Sequence, residues 1–327
     1  MIGVLPYAGS AMAVGSRPLV PSRLAPGGLA QRAHGVRRQP RTVLGAYVAL
    51  TKPRIIELLL ITTIPTMVLA ERGWPSLGLM AITLVGGTLA AGGANAVNMY
   101  VDRDIDAVMH RTQDRPLVTG VIAPRHALVF ATALEVAAFI VLWAGTNLLA
   151  AVLALSATVF YVGVYTVWLK RTSRHNIVIG GAAGAVPVLV GWAAVTGSLG
   201  WTPLVLFLAM FFWTPPHFWA LAIRYADDYR AANVPMLPAV VPLREAARQM
   251  VGYTVALVVT TLVLAPVADL GWIYTTTAVV LGAMFLAGTV ALARRPTSAA
   301  SMKLFAFSIT YVTLLFAALT VDVLVLS

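Results

Sequence analysis

Two features are scarce in this sequence: cysteine, which is absent, and charged residues. Without cysteine the chain can form no disulfide, no thiolate nucleophile and no cysteine-ligated metal or cluster. Asp, Glu, Lys and Arg make up 11% of the 327 residues, whereas a soluble globular domain contains about 25% charged residues. Hydrophobic residues reach 59%, and the mean hydropathy is +0.85. The composition therefore predicts an integral membrane protein.

A long apolar run is also missing from the first 42 residues, which are rich in Gly, Pro, Ala and Arg. A signal peptide would begin with a positive region followed by an apolar core, and the opening MIGVLPYAGS has neither. We therefore expect residues 1–42 to form a disordered basic tail. Residues 43–327 are expected to form one membrane domain.

The remaining chain alternates long apolar runs with short polar breaks. Because a membrane span needs about 20 apolar residues, the pattern predicts an all-α, polytopic membrane protein with nine transmembrane helices. The first span is expected to extend upstream through LGAYVAL. The predicted spans are 55–70, 77–99, 125–144, 148–168, 177–196, 202–223, 249–267, 271–292 and 304–326.

The basic residues support this map and give it an orientation. With the N-terminus inside, the inside segments contain 22 of the 23 Lys and Arg residues, and Arg72 is the exception. The positive-inside rule therefore predicts that the N-terminus is cytoplasmic and the C-terminus is outside. Seven of the 12 acidic residues lie in the two longest inside loops. The net charge of +11 thus reflects topology, and we expect no nucleic-acid partner.

The stretch NMYVDRDID, residues 98–106, carries the strongest chemical signal. On a continuous helix Asn98, Asp102 and Asp106 share one face, with neighbouring Cβ atoms about 5–6 Å apart. Acids at a helix C-terminus are disfavoured by the helix dipole, so they need a positive partner. A hard divalent cation, most simply Mg²⁺ carrying phosphate oxygens, fits oxygen ligands of this kind. The alternative is a solvated acidic helix end paired with Arg103.

Basic residues follow in two places on the same side of the predicted membrane. Arg111 and Arg115 come directly after the acids and could bind the phosphate oxygens that a metal does not reach. Lys170 and Arg171, in LKRTSRHN, could neutralise a leaving anion. Either pair could equally be a topology signal of an inside loop.

A third polar cluster ends an aromatic helix, FFWTPPHFWALAIRYADDYR, residues 211–230. His217 is either a structural residue or a functional one, since ionisable groups inside membranes are often functional. The aromatic side chains around it could face lipid or line a cavity for a flat apolar ligand. Asp227 and Asp228 could hold a second Mg²⁺ on the inside face.

Several blocks in order carry a family resemblance. They are TKPRI at 51–55, NMYVDRDIDAVMHRT at 98–112, RPL at 115–117, LKR followed by NIVIGGAAGAVP, WTPPHFWALA at 213–222, and DDYRAANVPMLP at 227–238. The chain resembles the UbiA superfamily of intramembrane prenyltransferases, and within it the branch that uses haem as the acceptor. The resemblance implies nine helices around a central cavity, in which two aspartate motifs near the cytoplasmic face hold a polyprenyl diphosphate through Mg²⁺.

The activity implied by the resemblance is transfer of the farnesyl group of farnesyl diphosphate to a vinyl group of haem B. Water adds in the process, and the products are haem O and diphosphate. The implied location is the plasma membrane, where a haem A synthase or a terminal oxidase assembly would be a partner.

The resemblance also assigns metal-binding roles to individual positions. Asn98, Asp102 and Asp106 match the first metal-binding motif, and Asp227 matches the start of the second. The superfamily often has another acid four residues after that start. This chain has Ala231 there, which leaves Asp228 as the substitute.

Other positions match residues that are expected to contact the substrates or take part in the reaction. The expected diphosphate contacts are Arg54, Arg111, Arg115, Lys170 and Arg171. Asn176 and His217 are expected near the haem, and Asp228 near bound substrate. The side chains assigned to catalysis are Asp102, Asp106, Asp227 and Lys170.

Two other functions remain open from the residues alone. One is a prenyltransferase of the same superfamily with a different aromatic acceptor, such as a quinone precursor. The other is a transporter, or a carrier of haem or lipid without catalysis. A transporter predicts charges near the middle of the membrane, and only Glu135 lies clearly within a predicted span. The clustering of acids at one surface favours phosphate chemistry.

Overall fold

The computed structural model describes residues 42–326, apart from the side chains of residues 54, 55 and 57–60. The predicted tail therefore lies outside the described residues except for Thr42, and so does the side chain of Arg54.

Helices make up the regular structure, and the described residues contain no strand. In chain order they are α1 (Val43–Thr51), α2 (Pro53–Glu71), α3 (Leu77–Val101), α4 (Arg103–Val108), α5 (Pro124–Gly145), α6 (Leu148–Thr172), α7 (Asn176–Thr196), α8 (Trp201–Arg224), α9 (Ala226–Ala231), α10 (Leu237–Val240), α11 (Leu243–Val267), α12 (Trp272–Arg294) and α13 (Ser298–Leu326). The predicted all-α class is confirmed.

Eight helices in the described part of the chain are long and apolar enough to cross a membrane: α3, α5, α6, α7, α8, α11, α12 and α13. The first predicted span corresponds to α2, which has 19 residues and whose fully described part, Ile61–Glu71, is apolar. The chain is therefore a multi-pass membrane protein, and the count of nine stays a prediction.

The start of the predicted helical map differs from the structure at one point. The expected upstream extension of the first span is a separate helix, α1, because Lys52 adopts a left-handed conformation (φ 53°, ψ 62°) between α1 and α2. Pro53 then begins α2. Proline lacks an N–H to continue the hydrogen bonds of α1, and it disfavours helical conformation in the residue before it. The chain turns at Lys52 for this reason.

Two later helices begin earlier than predicted. α11 starts at Leu243 and α13 at Ser298, rather than at 249 and 304. Their first turns contain polar residues such as Arg244 and Lys303, which an apolar window excludes and which a helix accommodates at the membrane surface.

Small residues let the central helices pack closely. Tyr165 of α6 lies directly against Gly180 of α7, where a Cβ atom would clash with its ring. A Cβ at the next residue, Gly181, would lie 2.7 Å from Thr214 Cγ2 of α8. Such contacts are typical of helices that associate within lipid. They bring α7 against both α6 and α8, whose ends carry the candidate site residues.

The largest apolar core joins α7, α8, α11, α12 and α13, with Trp219, Tyr274, Phe285 and Tyr311 fully buried. Asp322 is buried in this core. It lies within the predicted span 304–326, so Glu135 is not the only acid within a predicted span. The Asp322 carboxylate accepts hydrogen bonds from the backbone N–H groups of Gly271 (2.5 Å) and Tyr274 (2.9 Å). Asp322 therefore caps the N-terminus of α12.

Candidate active site

The first acidic motif forms one buried face at the end of α3. Asp102 joins α3 to α4, and the hydrogen bonds from Asp102 N to Asn98 O (2.9 Å) and from Asp106 N to Asp102 O (2.8 Å) keep the path almost helical. The side chains of Asn98, Asp102 and Asp106 are buried, whereas Asp104 exposes 62% of its side chain. The structure thus places these three side chains together, as their spacing predicts.

Basic residues from two other segments meet this face. Lys170, near the end of α6, donates a short hydrogen bond to Asp102 Oδ2. Arg115 Nη1 lies 2.5 Å from Asp106 Oδ2. Asn98 Nδ2 also donates to Asp102 Oδ2 at 2.8 Å. Five predicted residues of the site therefore come together: Asn98, Asp102, Asp106, Arg115 and Lys170.

Arg171 binds the exposed member of the acidic stretch. Its guanidinium donates two hydrogen bonds of 2.7 Å to Asp104 and one of 3.0 Å to the carbonyl oxygen of Val101. The hydrogen bond from Arg171 lowers the pKa of Asp104 to about 2, so that this carboxylate is ionised at neutral pH. Arg171 lies 3.9 Å from Asp102 Oδ1, and it ties the end of α6 to the junction of α3 and α4.

The shape of α6 decides where its basic end lies. α6 widens into a π-helix over Phe160–Leu169, and Thr166 Oγ1 donates to the carbonyl oxygen of Tyr161 at 2.9 Å. The same hydroxyl accepts a 3.0 Å hydrogen bond from Asn98 Nδ2. π-helical turns occur frequently at functional sites. The wide turn brings Thr166 against Asn98 and is followed directly by Lys170.

Lys52 also lies in this site, and the sequence analysis did not single it out. Its Nζ donates a 2.7 Å hydrogen bond to Asn98 Oδ1. Burial of the ammonium group, together with the charges of Arg115 and Lys170, holds the pKa of Lys52 well below its usual value. The sequence analysis counted Lys52 only as one of the basic residues on the inside. Its position directly before Pro53, within TKPRI, was the signal that could have singled it out.

The second acidic segment, on α9, is arranged differently. Asp227 exposes 98% of its side chain and pairs at 2.5 Å with Arg230 of the same helix. Asp228 is mostly buried, and its Oδ1 lies 3.1 Å from His110 Nδ1. Among the described residues, no group of three or more acids or histidines is close enough together to hold a metal. The role of Asp227 as a metal ligand stays a prediction.

Arg111 connects the segments that follow α4 and α8. Its guanidinium carbon lies 5.7 Å from the ring centroid of Tyr225 and 5.3 Å from that of Tyr229, and its Nη2 donates to the Tyr229 hydroxyl at 3.2 Å. Its buried Nε finds no acceptor among the described residues. Arg111 therefore cross-links two segments that are more than a hundred residues apart.

Asn176 and His217 contact neither acidic segment through any described hydrogen bond. Asn176, in the first turn of α7, is fully buried, and neither polar atom of its amide meets a partner in residues 42–326. His217 Nδ1 lies 2.6 Å from Ser308 Oγ of α13, and its ring stacks on Trp213 at 4.1 Å and Phe305 at 4.7 Å. His217 thus belongs to a packed aromatic cluster between α8 and α13.

The oxygen atoms of the first motif suit a hard cation. Asp102 Oδ1 is buried and receives no hydrogen bond from the described residues. Asn98 and Asp106 lie one helical turn before and after Asp102 on the nearly helical path, and Mg²⁺ prefers carboxylate and amide oxygens with further ligands from water or phosphate. The donor set fits a Mg²⁺ ion that completes its coordination with the oxygens of a ligand.

The helices and this site together define a multi-pass membrane protein with a buried acid–base cluster where its helices meet one surface. Residues 59–316 match the UbiA prenyltransferase family. A protein from Paenarthrobacter aurescens, named protoheme IX farnesyltransferase, is 54% identical over 282 residues, which cover 85% of this chain and 88% of that protein. The chain belongs to the UbiA prenyltransferase family.

Solved structures agree on the fold. A UbiA homologue from Aeropyrum pernix K1 superposes with a TM-score of 0.67 at 20% identity, covering 83% of this chain and 98% of that one. A UbiA homologue from Archaeoglobus fulgidus, bound to GPP and Mg²⁺, superposes with a TM-score of 0.57 at 17% identity, covering 84% of this chain and 99% of that one.

Proposed function

We propose that this protein transfers the farnesyl group of farnesyl diphosphate to a vinyl group of haem B, with addition of water, to give haem O and diphosphate. The observation that carries the proposal is the 54% identity with a protein named protoheme IX farnesyltransferase over 85% of the chain. The buried acid–base cluster at the end of α3 supplies the chemistry that cleavage of a diphosphate ester needs.

The metal of the reaction is Mg²⁺, held by Asp102, Asp106 and Asn98. Mg²⁺ has precedent in the Archaeoglobus fulgidus homologue, and when bound it neutralises charge that develops on diphosphate. Lys170 pairs with Asp102 and Arg115 pairs with Asp106. Both basic groups can turn from these carboxylates towards phosphate oxygens and donate charge-assisted hydrogen bonds to the leaving group. Such preorganised donors stabilise negative charge in the transition state.

Positive charge develops on the farnesyl carbon at the same time. Tyr161 and Tyr165 stack with their ring centroids 5.4 Å apart on the π-helical part of α6. The same part of α6 contacts the first motif, since Thr166 accepts a hydrogen bond from Asn98. The faces of the two tyrosine rings can stabilise an allylic cation beside the diphosphate, and their apolar bulk restricts the access of water.

Further assignments concern the diphosphate, a second metal and the acceptor. Arg54 and Arg111 are proposed to contact diphosphate, which is consistent with the unpaired Nε of Arg111. Asp227 and Asp228 are proposed to serve a second metal. Asn176 is proposed to bind a polar group of the acceptor, because its buried amide has no partner in the described chain. His217 is proposed to lie near the haem, as the family resemblance implies.

We also propose a plasma-membrane location, a cytoplasmic N-terminus and an active site that opens to the cytoplasmic side. The distribution of basic residues supports this orientation. Single cysteines in this cysteine-free chain would test it: His175→Cys, beside the site, and Ser198→Cys, at the other end of α7. A membrane-impermeant thiol reagent added to intact cells should label only the cysteine at position 198. Labelling at 175 alone would reverse the orientation.

Three further proposals accompany this function. Residues 1–42 act as a basic tail and residues 43–327 as the catalytic domain. The lipid bilayer is the medium from which both apolar substrates enter. A haem A synthase or a terminal oxidase assembly receives the product.

The test is a reconstituted assay with purified protein, haem B, farnesyl diphosphate and Mg²⁺, with haem products analysed by mass spectrometry. A product heavier than haem B by one farnesyl group plus water is expected. Release of diphosphate with unchanged haem would indicate a different aromatic acceptor. A folded preparation that does neither would favour a non-catalytic carrier of haem or lipid.

A further inference from the structure

The hydrogen bonds around Ser308 define which nitrogen of His217 carries a proton. Ser308 Oγ lies 2.6 Å from the carbonyl oxygen of Phe305 and 2.6 Å from His217 Nδ1. A carbonyl oxygen only accepts hydrogen bonds, so the single hydroxyl proton of Ser308 lies between Oγ and that oxygen. Towards Nδ1 the hydroxyl can then only accept. His217 is therefore protonated on Nδ1.

The second ring nitrogen of His217, Nε2, is left with an unused lone pair. Trp213 and Phe305 cover the two faces of the ring, and this apolar enclosure favours the uncharged imidazole. An uncharged imidazole that is protonated on Nδ1 has its acceptor on Nε2. Nε2 makes no hydrogen bond to the described residues, and His217 keeps 7% of its surface exposed. A free acceptor thus lies on a side chain whose faces and Nδ1 are held by neighbours.

The arrangement around His217 is the one that metal-ligating histidines adopt. Such a histidine coordinates through one nitrogen and donates the N–H of the other to a partner, which fixes the tautomer and the orientation of the ring. The partner of His217 is Ser308, and the Ser308 hydroxyl is itself held by the backbone of Phe305. The pair can therefore present Nε2 to a metal in a defined direction.

A lone histidine suits haem iron better than a free metal ion. The described contacts of His217 include no acid and no second histidine, and residues 42–326 contain no group of three or more acids or histidines that could hold an ion. Haem iron already has four porphyrin nitrogens, so that one imidazole completes a site. Arg224, seven residues later, lies on the same face of α8 about 10 Å further along, where it can pair with a haem propionate.

We infer that His217 coordinates the iron of the haem acceptor through Nε2, and that Ser308 is the positioning residue that holds the ring for this contact. The hydrogen bond from Nδ1 to Ser308 also makes the imidazole a stronger ligand. Coordination fixes the macrocycle while a vinyl group at its edge meets the farnesyl carbon. The inference rests on the proposed function, which supplies haem as the acceptor.

Binding of haem B to the purified protein tests this without turnover. Absorption spectra measure the affinity, and the iron–histidine stretching band in the resonance Raman spectrum of the ferrous complex identifies the ligand. The variants are His217→Gly, with and without free imidazole, and Ser308→Ala. Ser301→Ala is the matched control. Ser301 is also fully buried on α13 and also donates to a carbonyl oxygen three residues earlier, but it makes no hydrogen bond to a histidine in the described chain.

The unsubstituted protein should show the iron–histidine band, and His217→Gly should lose it. Free imidazole should restore the band, because it can enter the space that the side chain leaves. Ser308→Ala should keep the band at a lower frequency and bind haem B about tenfold to a hundredfold more weakly, the loss expected when the partner of a ligating histidine is removed. Ser301→Ala should match the unsubstituted protein in both measurements.

A band that persists in folded His217→Gly, or that is missing from the haem complex of the unsubstituted protein, would overturn the inference and leave the proposed function intact. Unchanged band frequency and affinity in Ser308→Ala would overturn the positioning role, and this result does not depend on whether His217→Gly folds. If the unsubstituted protein binds no haem B, the proposed function fails as well.

Discussion

Asp102 and Asp106 are almost completely buried, whereas Asp227, in the second acidic segment, exposes 98% of its side chain. The buried pair meets basic residues from other helices and loops, Lys170 and Arg115. Asp227 pairs with Arg230, one turn further along the same short helix. The two segments look alike in the sequence, since each is a cluster of aspartates that follows an apolar helix.

The difference lies in the energy of the two kinds of ion pair. A buried carboxylate that loses its partner costs about 3–5 kcal/mol, so the first segment is restricted to one arrangement. An exposed pair contributes about 0–1 kcal/mol and leaves its residues free to rearrange. We therefore expect the first segment to act as a preformed binding site and the second to change partners when a ligand arrives.

The largest effect is expected from Asp102→Asn. Removal of the carboxylate takes away a proposed metal ligand and the partner of Lys170, so haem O formation should fall by at least about a hundredfold to a thousandfold. The measurement is product formation in the reconstituted assay. Size-exclusion chromatography provides the folding control. Normal turnover by the folded variant would remove Asp102 from the catalytic residues.

Lys170→Met tests most directly how strongly the stability of the protein depends on the buried ion pair of Asp102. The substitution leaves Asp102 buried without its cation, and the free energy of unfolding should fall by about 3–5 kcal/mol in the absence of metal. Because Mg²⁺ binds the same carboxylate in the folded state, it should restore part of this loss. Thermal unfolding with and without Mg²⁺ measures both effects. Equal melting temperatures of the variant with and without Mg²⁺ would contradict the metal assignment.

Asp227→Asn should separate catalysis from stability in the second segment. Stability should change by less than about 0.5 kcal/mol, because the pair with Arg230 is exposed. Turnover should fall at least about tenfold if Asp227 turns inward to serve a second metal. Kinetics over a range of Mg²⁺ concentrations is the measurement. Arg230→Gln is the control, and it removes the ion pair together with the hydrogen bond from Arg230 Nε to the carbonyl oxygen of Ala239. Unchanged turnover would restrict the metal site to the first segment.

The smallest change in stability is expected from Asn176→Ala. The amide is buried without a partner in the described chain, and an unpaired buried polar group is unfavourable. Its removal should therefore leave the melting temperature equal or slightly higher. If the amide binds the acceptor, the KM for haem B should rise while the KM for farnesyl diphosphate stays constant. Asn147→Ala is a useful contrast, since Asn147 caps α6 and its removal should destabilise the protein.

Much of the fold could be predicted because membrane helices follow from local composition. Each span is a run of apolar residues, and the spacing of Asn98, Asp102 and Asp106 was sufficient to place them on one face. The break at Lys52 was missed because an apolar window does not register a left-handed residue before proline. The cap made by Asp322 was missed because its partners, Gly271 and Tyr274, lie about fifty positions away in the chain.

The sequence by itself determined a multi-pass helical protein, an acidic helix face and the basic residues that gather at one surface. These properties depend on composition and on periodicity within a helix, which are local. The tertiary structure alone decided which polar groups from different segments meet: Lys52 with Asn98, His217 with Ser308, and Lys170 with Asp102. Contacts of this kind depend on helix packing and burial, and a one-dimensional pattern of residue types does not specify them.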